Sequence, residues 1–317
     1  MILGFLVSAI YLIIALKVED VIALKGETQY FLKLVGFFAG TIVLGVMCFI
    51  DDMKNLPAIV KLIVQILAAS IVFALGIKIE PSNIPLLNLP NTEVLSYIIT
   101  VGWIVGITNA INLTDGLDGL SSGITLISCV SLLIIFLMNG SPLISVVLVT
   151  ALAGAISGFL PFNINPAKTY VGDVGAEFYG FALSVISILG MAKTYTAIVI
   201  IAPLIVLLLP IFDTVFAILR RGIKGKSIRA IFKPDNGHLH HKLMKKGYSQ
   251  KQAVFILYGA SATCGMFAII LLESGIWKAA SFALMVLAMV GIGYKDILKP
   301  KALSSKNEEV QQNKEQE

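Results

Sequence analysis

The sequence predicts an all-α, polytopic integral membrane protein with about ten transmembrane helices. Three observations carry that reading. The chain is 57% hydrophobic and 14% charged, with a mean hydropathy of +0.90, whereas a soluble domain carries roughly a quarter of its residues charged. Apolar stretches of membrane-spanning length recur along its 317 residues. The polar residues between them gather at segment ends: Asp51, Asp52, Asp115, Asp118, Asp173, Glu177, Asp213 and Asp235 all sit there. An acidic side chain costs about 2.5–3.5 kcal/mol at the centre of a membrane helix, so such clustering is rarely accidental. Beside a histidine group, it points to a metal-dependent site at the membrane surface.

A spanning helix needs about 20 mainly apolar residues. The first candidate, 1–16, starts at Met1 with no basic residue before it. It therefore reads as a spanning helix rather than a signal peptide, which needs a basic leader and a cleavage site. Segment 31–50 runs apolar up to Asp51, and 58–79 begins after the punctuating Pro57. Segments 94–112 and 119–139 flank a turn rich in Asn, Asp and Gly. Segments 143–160 and 176–191 flank a loop holding Pro161, Pro166 and Gly172. Segment 197–219 ends at Arg220-Arg221, and 253–272 and 277–294 are separated by Glu273 and Gly275. Cys48, Cys129 and Cys264 lie in apolar segments and read as small core or lipid-facing residues, not a disulfide framework.

With residue 1 inside, the inner segments are 51–57, 112–118, 161–175, 220–252 and 295–317. They hold seventeen of the 24 Lys and Arg, ten of them in 220–252. Positive residues mark the cytoplasmic side, so this threading is preferred to its inverse. It also brings every polar motif to that side, although the motifs played no part in setting it. The expectation is one polytopic domain over 1–300 in the cell membrane, with cytoplasmic loops 51–57, 112–118, 161–175 and 220–252. The polar stretch 301–317, without aromatic residues, is expected to be a disordered cytoplasmic tail.

Five motifs lie on the inner face. Asp51-Asp52-Met53-Lys54-Asn55-Leu56-Pro57 follows an apolar helix; adjacent carboxylates repel unless a cation is near, although a solvated helix end would look the same. Asn109-Ala-Ile-Asn112-Leu-Thr-Asp115-Gly116-Leu117-Asp118-Gly119-Leu120 combines residues seldom found together in an ordinary turn. Asn163-Ile164-Asn165-Pro166-Ala167-Lys168 leads into Tyr170-Val171-Gly172-Asp173-Val174-Gly175. Glycines beside Asp173 before a helix offer backbone N–H groups to an anion, and a plain Asp cap is the bland alternative. In Pro210-Ile211-Phe212-Asp213-Thr214 the acid could pair with Arg220-Arg221. Gly237-His238-Leu239-His240-His241 holds all three histidines among basic residues. That group suits a diphosphate better than zinc, for which it lacks HExxH spacing and Cys partners; surface histidines or contact with anionic lipid are the plainer alternatives.

In this order, the motifs resemble those of the polyprenyl-phosphate sugar-1-phosphate transferases over roughly 1–295. The superfamily includes the phospho-N-acetylmuramoyl-pentapeptide transferases and the N-acetylglucosaminyl-1-phosphate transferases of teichoic acid and O-antigen synthesis. GHLHHKLMKKGYSQKQA is similar to the N-acetylglucosaminyl branch. The resemblance implies transfer of N-acetylglucosamine 1-phosphate from UDP-N-acetylglucosamine to undecaprenyl phosphate, with release of UMP. It implies Mg²⁺, or Mn²⁺ in its place, on Asp115 and Asp173. Asp51 and Asp52 would lie near the lipid phosphate, and Asp213 would be a further essential acid. Asn55, Asn112, Asp118, Asn163 and Tyr170 would line the substrate pocket, with His238, His240 and His241 contacting phosphates or sugar. Partners are then the UDP-sugar, the prenyl phosphate and membrane lipids; no nucleic acid is expected, and a homodimer is compatible. The family pattern also implies a further helix, and a loop with basic residues and a Gly-Gly pair, upstream of residue 1.

Two other classes compete. A cation-coupled transporter would carry membrane carboxylates, but near the bilayer midplane rather than at helix ends. A non-enzymatic scaffold would have no need of repeated Asn/Asp/Gly loops.

Overall fold

The computed structural model describes residues 1–15, 28–83, 90, 92–191, 197–225 and 237–297. The tail 301–317 and residues 226–236 of the basic loop, Asp235 among them, lie outside these residues. Among those described, regular structure is entirely helical. In chain order the helices are α1 (Ile2–Ala15), α2 (Thr28–Lys54), α3 (Ala58–Ala74), α4 (Glu93–Thr114), α5 (Leu120–Met138), α6 (Leu143–Asn163), α7 (Gly172–Met191), α8 (Ala197–Val206), α9 (Leu208–Gly225), α10 (Leu239–Lys245) and α11 (Gln250–Ile297). A short 3₁₀ turn, Pro81–Asn83, precedes α4.

Every apolar segment expected from the sequence coincides with helix, but the partition differs. Six of the described helices are long and apolar enough to cross a bilayer on their own: α2, α4, α5, α6, α7 and α11. Helices α1 and α3 are apolar but shorter. Segment 197–219 is divided between α8 and α9. Pro210 explains the break, because its ring displaces the carbonyl of Val206 and it offers no N–H to it. Gly275 (φ 78°, ψ 179°) interrupts the helical geometry within Gln250–Ile297, so segments 253–272 and 277–294 are two helical stretches that meet at a kink, as the sequence predicts.

Local chemistry sets the boundaries that matter for the site. Helix α2 stops where Asn55 takes a left-handed conformation (φ 47°), which Asn tolerates better than most residues. Pro57 then caps α3 from an extended conformation. At the α4–α5 turn, Gly119 supplies φ 78°. Helix α6 continues through Pro161 to the buried Asn163, further than the loop 161–175 anticipated. Helix α7 begins at Gly172, so Asp173 lies in its first turn.

Helix α7 is the centre of the bundle, buried throughout Gly175–Gly190 and packed against α2, α4 and α6. Its Gly180 lies so close to α4 that an added Cβ would sit 2.6 Å from Thr108 Cα, a backbone atom that cannot yield. Small residues permit such approach, which matters where lipid provides no hydrophobic drive between helices. Phe5, Phe37 and Phe178 join α1, α2 and α7, with ring centroids 5.9 and 5.3 Å apart in edge-on contacts. Exposed Phe31, Ile42, Val46 and Phe49 on α2 and Ile59, Ile63 and Leu67 on α3 form apolar faces suited to lipid.

Candidate active site

Asp51 in the last turn of α2 and Asp173 in the first turn of α7 meet at Lys61, in the first turn of α3. The Lys61 ammonium donates to Asp173 Oδ2 at 2.7 Å and is paired with Asp51 Oδ2. Asp51 Oδ1 accepts from the Leu56 backbone N–H at 2.7 Å, because the Asn55 turn folds the chain back over the helix end. The side chains grade from buried to open: 8% exposed at Asp51, 21% at Lys61 and 47% at Asp173. Asp173 can therefore receive a ligand from outside while Asp51 anchors the lysine beneath it.

The α4–α5 turn supplies the next carboxylate. Ser121 Oγ donates to Asp115 Oδ1 at 2.5 Å. Burial pushes the Asp115 carboxyl above its ordinary range; the Ser121 hydrogen bond opposes the rise, and the negative charges of Asp173 and Asp118 add to it. Asp118 holds the loop after α6, accepting from Asn165 Nδ2 at 2.9 Å and the Ala167 N–H at 3.2 Å. Asn165 also donates to Gln250 Oε1 at 3.0 Å, tying α11 to the same corner. Asn163 accepts from Ser122 Oγ at 2.8 Å and donates to the Thr169 carbonyl at 2.9 Å. Asp118 and Asn163 thus shape the wall, and Tyr170 stands exposed at its rim.

A polar layer underlies these groups. Asn109 Nδ2 donates to Gln65 Oε1 at 2.6 Å, and Asn112 Nδ2 lies 3.5 Å from Glu177 Oε1. Glu177 is only 1% exposed, one helical turn beyond Asp173.

The histidine segment docks on the other side of the α4–α5 turn. Asp213 Oδ2 pairs with His238 Nδ1 at 2.9 Å, and its Oδ1 accepts from the Leu239 N–H at 2.9 Å. Asp213 therefore holds the start of α10 instead of forming the arginine pair considered from sequence; Arg221 Nη2 lies 3.3 Å from His238 Nε2. Arg220 Nη1 donates to the Gly237 carbonyl at 2.9 Å. His240 is buried between His238 (centroids 5.9 Å apart, rings nearly parallel) and His241 (4.2 Å). Burial lowers its pKa to about 4, helped by His241 and His238 and opposed by Asp213. A neutral ring at physiological pH brings no positive charge to a phosphate.

The fold thus gathers Asp51, Asp115, Asp118, Asp173, Asn112 and Asn163 around one corner, with Asp213, His238, His240 and His241 beside it. Asp52 and Asn55 are exposed at the end of α2. Sequence reasoning passed over Lys61, Gln65 and Ser121, and noted Glu177 only as one of the carboxylates at segment ends. A signal was available for Lys61 and Gln65: two polar residues four apart on one face of an apolar helix.

Comparison with known proteins places the chain in a family. The profile of glycosyl transferase family 4 matches residues 34–191, from α2 to the end of α7. A probable undecaprenyl-phosphate N-acetylglucosaminyl 1-phosphate transferase of Bacillus subtilis is 39% identical over 253 residues, covering 79% of this chain and 68% of that protein. The decaprenyl-phosphate N-acetylglucosaminephosphotransferase of Mycobacterium leprae is 34% identical over 242 residues, or 69% of this chain and 60% of that protein. A phospho-N-acetylmuramoyl-pentapeptide-transferase of Chlamydia trachomatis is 37% identical over 179 residues, 50% of this chain and 53% of its own length. The chain therefore spans between about half and two thirds of these relatives. A multi-pass helical bundle whose acidic corner falls within the matched span belongs, on these grounds, to glycosyl transferase family 4, the polyprenyl-phosphate sugar-1-phosphate transferases.

Proposed function

We propose that this chain transfers N-acetylglucosamine 1-phosphate from UDP-N-acetylglucosamine to undecaprenyl phosphate, releasing UMP. The observation that carries the proposal is the Asp51–Lys61–Asp173 bridge beside Asp115, an oxygen-rich corner at helix ends that mixes acid and base. A transporter's binding site would lie nearer the middle of the helices. The N-acetylglucosaminyl branch is favoured over the muramoyl-pentapeptide branch because the Bacillus relative matches 79% of the chain and the Chlamydia relative 50%.

In the reaction an oxygen of the lipid phosphate bonds to the β-phosphorus of the UDP-sugar. The P–O bond to the bridging oxygen breaks, and its electron pair leaves with UMP. A phosphate monoester is mostly dianionic at neutral pH, so little base assistance is required. Lys61 offsets negative charge at the point where the two anions meet, and Asp51 holds it there. Asp118 and Asn163 keep the loop wall in place, and exposed Tyr170 offers a ring on which uracil can stack.

The residues fit a magnesium ion. Asp115 and Asp173 present oxygen donors, and Asp115 is destabilised as an anion by burial and by the charges of Asp173 and Asp118, a condition that a cation relieves. No group of three or more His, Cys, Asp or Glu is assembled for a metal among the described residues; Mg²⁺ commonly takes only one or two carboxylates together with substrate phosphates. Held there, Mg²⁺ or Mn²⁺ would neutralise the diphosphate and improve UMP as a leaving group. The reading includes ten crossings of the cell membrane, with the acidic corner on the cytoplasmic face, where UDP-sugars are found.

The test is UMP release by purified protein in detergent. It should require undecaprenyl phosphate and UDP-N-acetylglucosamine together, stop with EDTA, return with Mg²⁺, and vanish in a folded Asp173→Asn variant. Release that ignores the lipid, or full activity of Asp173→Asn, would refute the proposal.

A further inference from the structure

His240 belongs to a histidine segment that the family resemblance assigns to substrate contact, yet its ring faces inward. It is 3% exposed, and its Nε2 has no hydrogen-bond partner among the described residues. That nitrogen points at the α4–α5 turn. A Cβ built on Gly116 would fall 2.2 Å from His240 Nε2 and 2.6 Å from Cε1, so the ring rests on the bare Cα of Gly116. The ring is flanked by His238, nearly parallel at 5.9 Å, and by His241, tilted against it at 4.2 Å, so it has little room to swing away. Behind it, Asp213 fixes α10 through the His238 ring and the Leu239 N–H.

Gly116 directly follows Asp115. Its N–H bonds the Thr114 carbonyl at 2.8 Å, and that of Asp115 bonds the Asn112 carbonyl at 3.0 Å. These bonds wind the turn tightly, and Ser121 fixes the carboxylate at its end. The surface of Gly116 facing α10 is covered by His240. We propose that His240 is a positioning residue: by seating its ring on Gly116 it holds the turn that presents Asp115, with Asp213 clamping α10 in place behind it. Glycine at 116 and histidine at 240 are then a matched pair, one side chain absent so that the other can fill the space. The proposal rests on Asp115 serving the metal-dependent transfer described above.

The test is a size exchange read by Mn²⁺ binding, measured by electron paramagnetic resonance on purified protein in detergent. Groups that orient metal ligands from behind commonly change metal affinity about 10–100-fold when lost. Gly116→Ala should weaken Mn²⁺ binding by about tenfold or more on that scale, because the new methyl forces ring and turn apart. His240→Ala should also weaken it, by uncovering the turn. The double variant should bind more tightly than Gly116→Ala alone, since the smaller residue 240 makes room for the methyl. If Gly116→Ala fails to fold, monodisperse, Mn²⁺-binding double variant is the expected rescue. In UMP-release assays with saturating Mn²⁺, His240→Ala should lower kcat with little change in KM for UDP-N-acetylglucosamine. A double variant no better than Gly116→Ala would overturn the proposal, as would an increased KM with unaltered Mn²⁺ affinity. A wild-type protein that bound Mn²⁺ but released no UMP would overturn the transferase reading, and the Mn²⁺ comparison would still decide the packing.

Discussion

Replacing Lys61 with methionine keeps the unbranched side chain to within one heavy atom and removes its charge, leaving the nearly buried Asp51 without its cation. Breaking a buried pair by deleting one partner typically costs about 3–5 kcal/mol, because the remaining charge is uncompensated. Lys61 retains 21% exposure and Asp51 8%, which places the loss near the lower end, roughly 3 kcal/mol. The Asp173 arm contributes less than about 1 kcal/mol, since that carboxylate is half open to solvent and its charge is screened. Removing both charges of the buried arm should undo most of the damage. In Lys61→Met with Asp51→Asn, the amide oxygen can still accept from the Leu56 N–H that Asp51 holds at 2.7 Å. A double-mutant cycle by equilibrium unfolding in mixed detergent micelles, followed by circular dichroism, measures the coupling directly. Lys61→Met should be markedly less stable than wild type, and the double variant should recover to within about 1 kcal/mol, as expected when both partners of a buried pair go. Neither should be active. A Lys61→Met protein as stable as wild type, or a double variant whose losses simply add, would refute the reasoning.

Ser121→Ala removes the hydrogen bond that favours ionised Asp115. The carboxyl pKa then rises further, so the acid limb of the activity profile should move to higher pH; a profile unmoved by the substitution would deny Asp115 its role. His240 titrates near 4 when folded, below its ordinary 6.5. The unfolded chain therefore binds the extra proton first, and stability should fall as pH drops from 6.5 toward 4, by up to about 3 kcal/mol. His240→Gln should flatten that slope, and thermal melts across the window would show it. Gly180→Ala should sharply reduce folded yield on size-exclusion chromatography, because its methyl would meet the Thr108 backbone at 2.6 Å; normal yield would mean that α4 and α7 are not in such close contact.

The sequence made the helices and their polar ends legible, because both depend on local composition. Pro57 announced the turn after α2, and the Asn/Asp/Gly run announced the α4–α5 turn. Crossing number was less accessible. Gly275 separates 253–272 from 277–294 as their composition suggested, whereas Pro210 divided a segment that hydropathy alone joins. Within the site, Asp51, Asp115 and Asp173 stood out as acids beside apolar helices. Lys61 did not, since a lysine in an apolar helix gains meaning only when carboxylates from α2 and α7 arrive beside it. The contact between His240 and Gly116 spans two distant segments, and neither residue alone indicates that the ring turns inward.

In the proposed reaction a sugar phosphate moves, not the sugar alone. Incubation with undecaprenyl phosphate, Mg²⁺ and UDP-N-acetylglucosamine labelled with ³²P at the β-phosphorus tests this directly. The label should partition into the organic phase with the lipid, in equal molar amount to the UMP released. Label remaining in water as UDP, or never leaving the UDP-sugar, would contradict it.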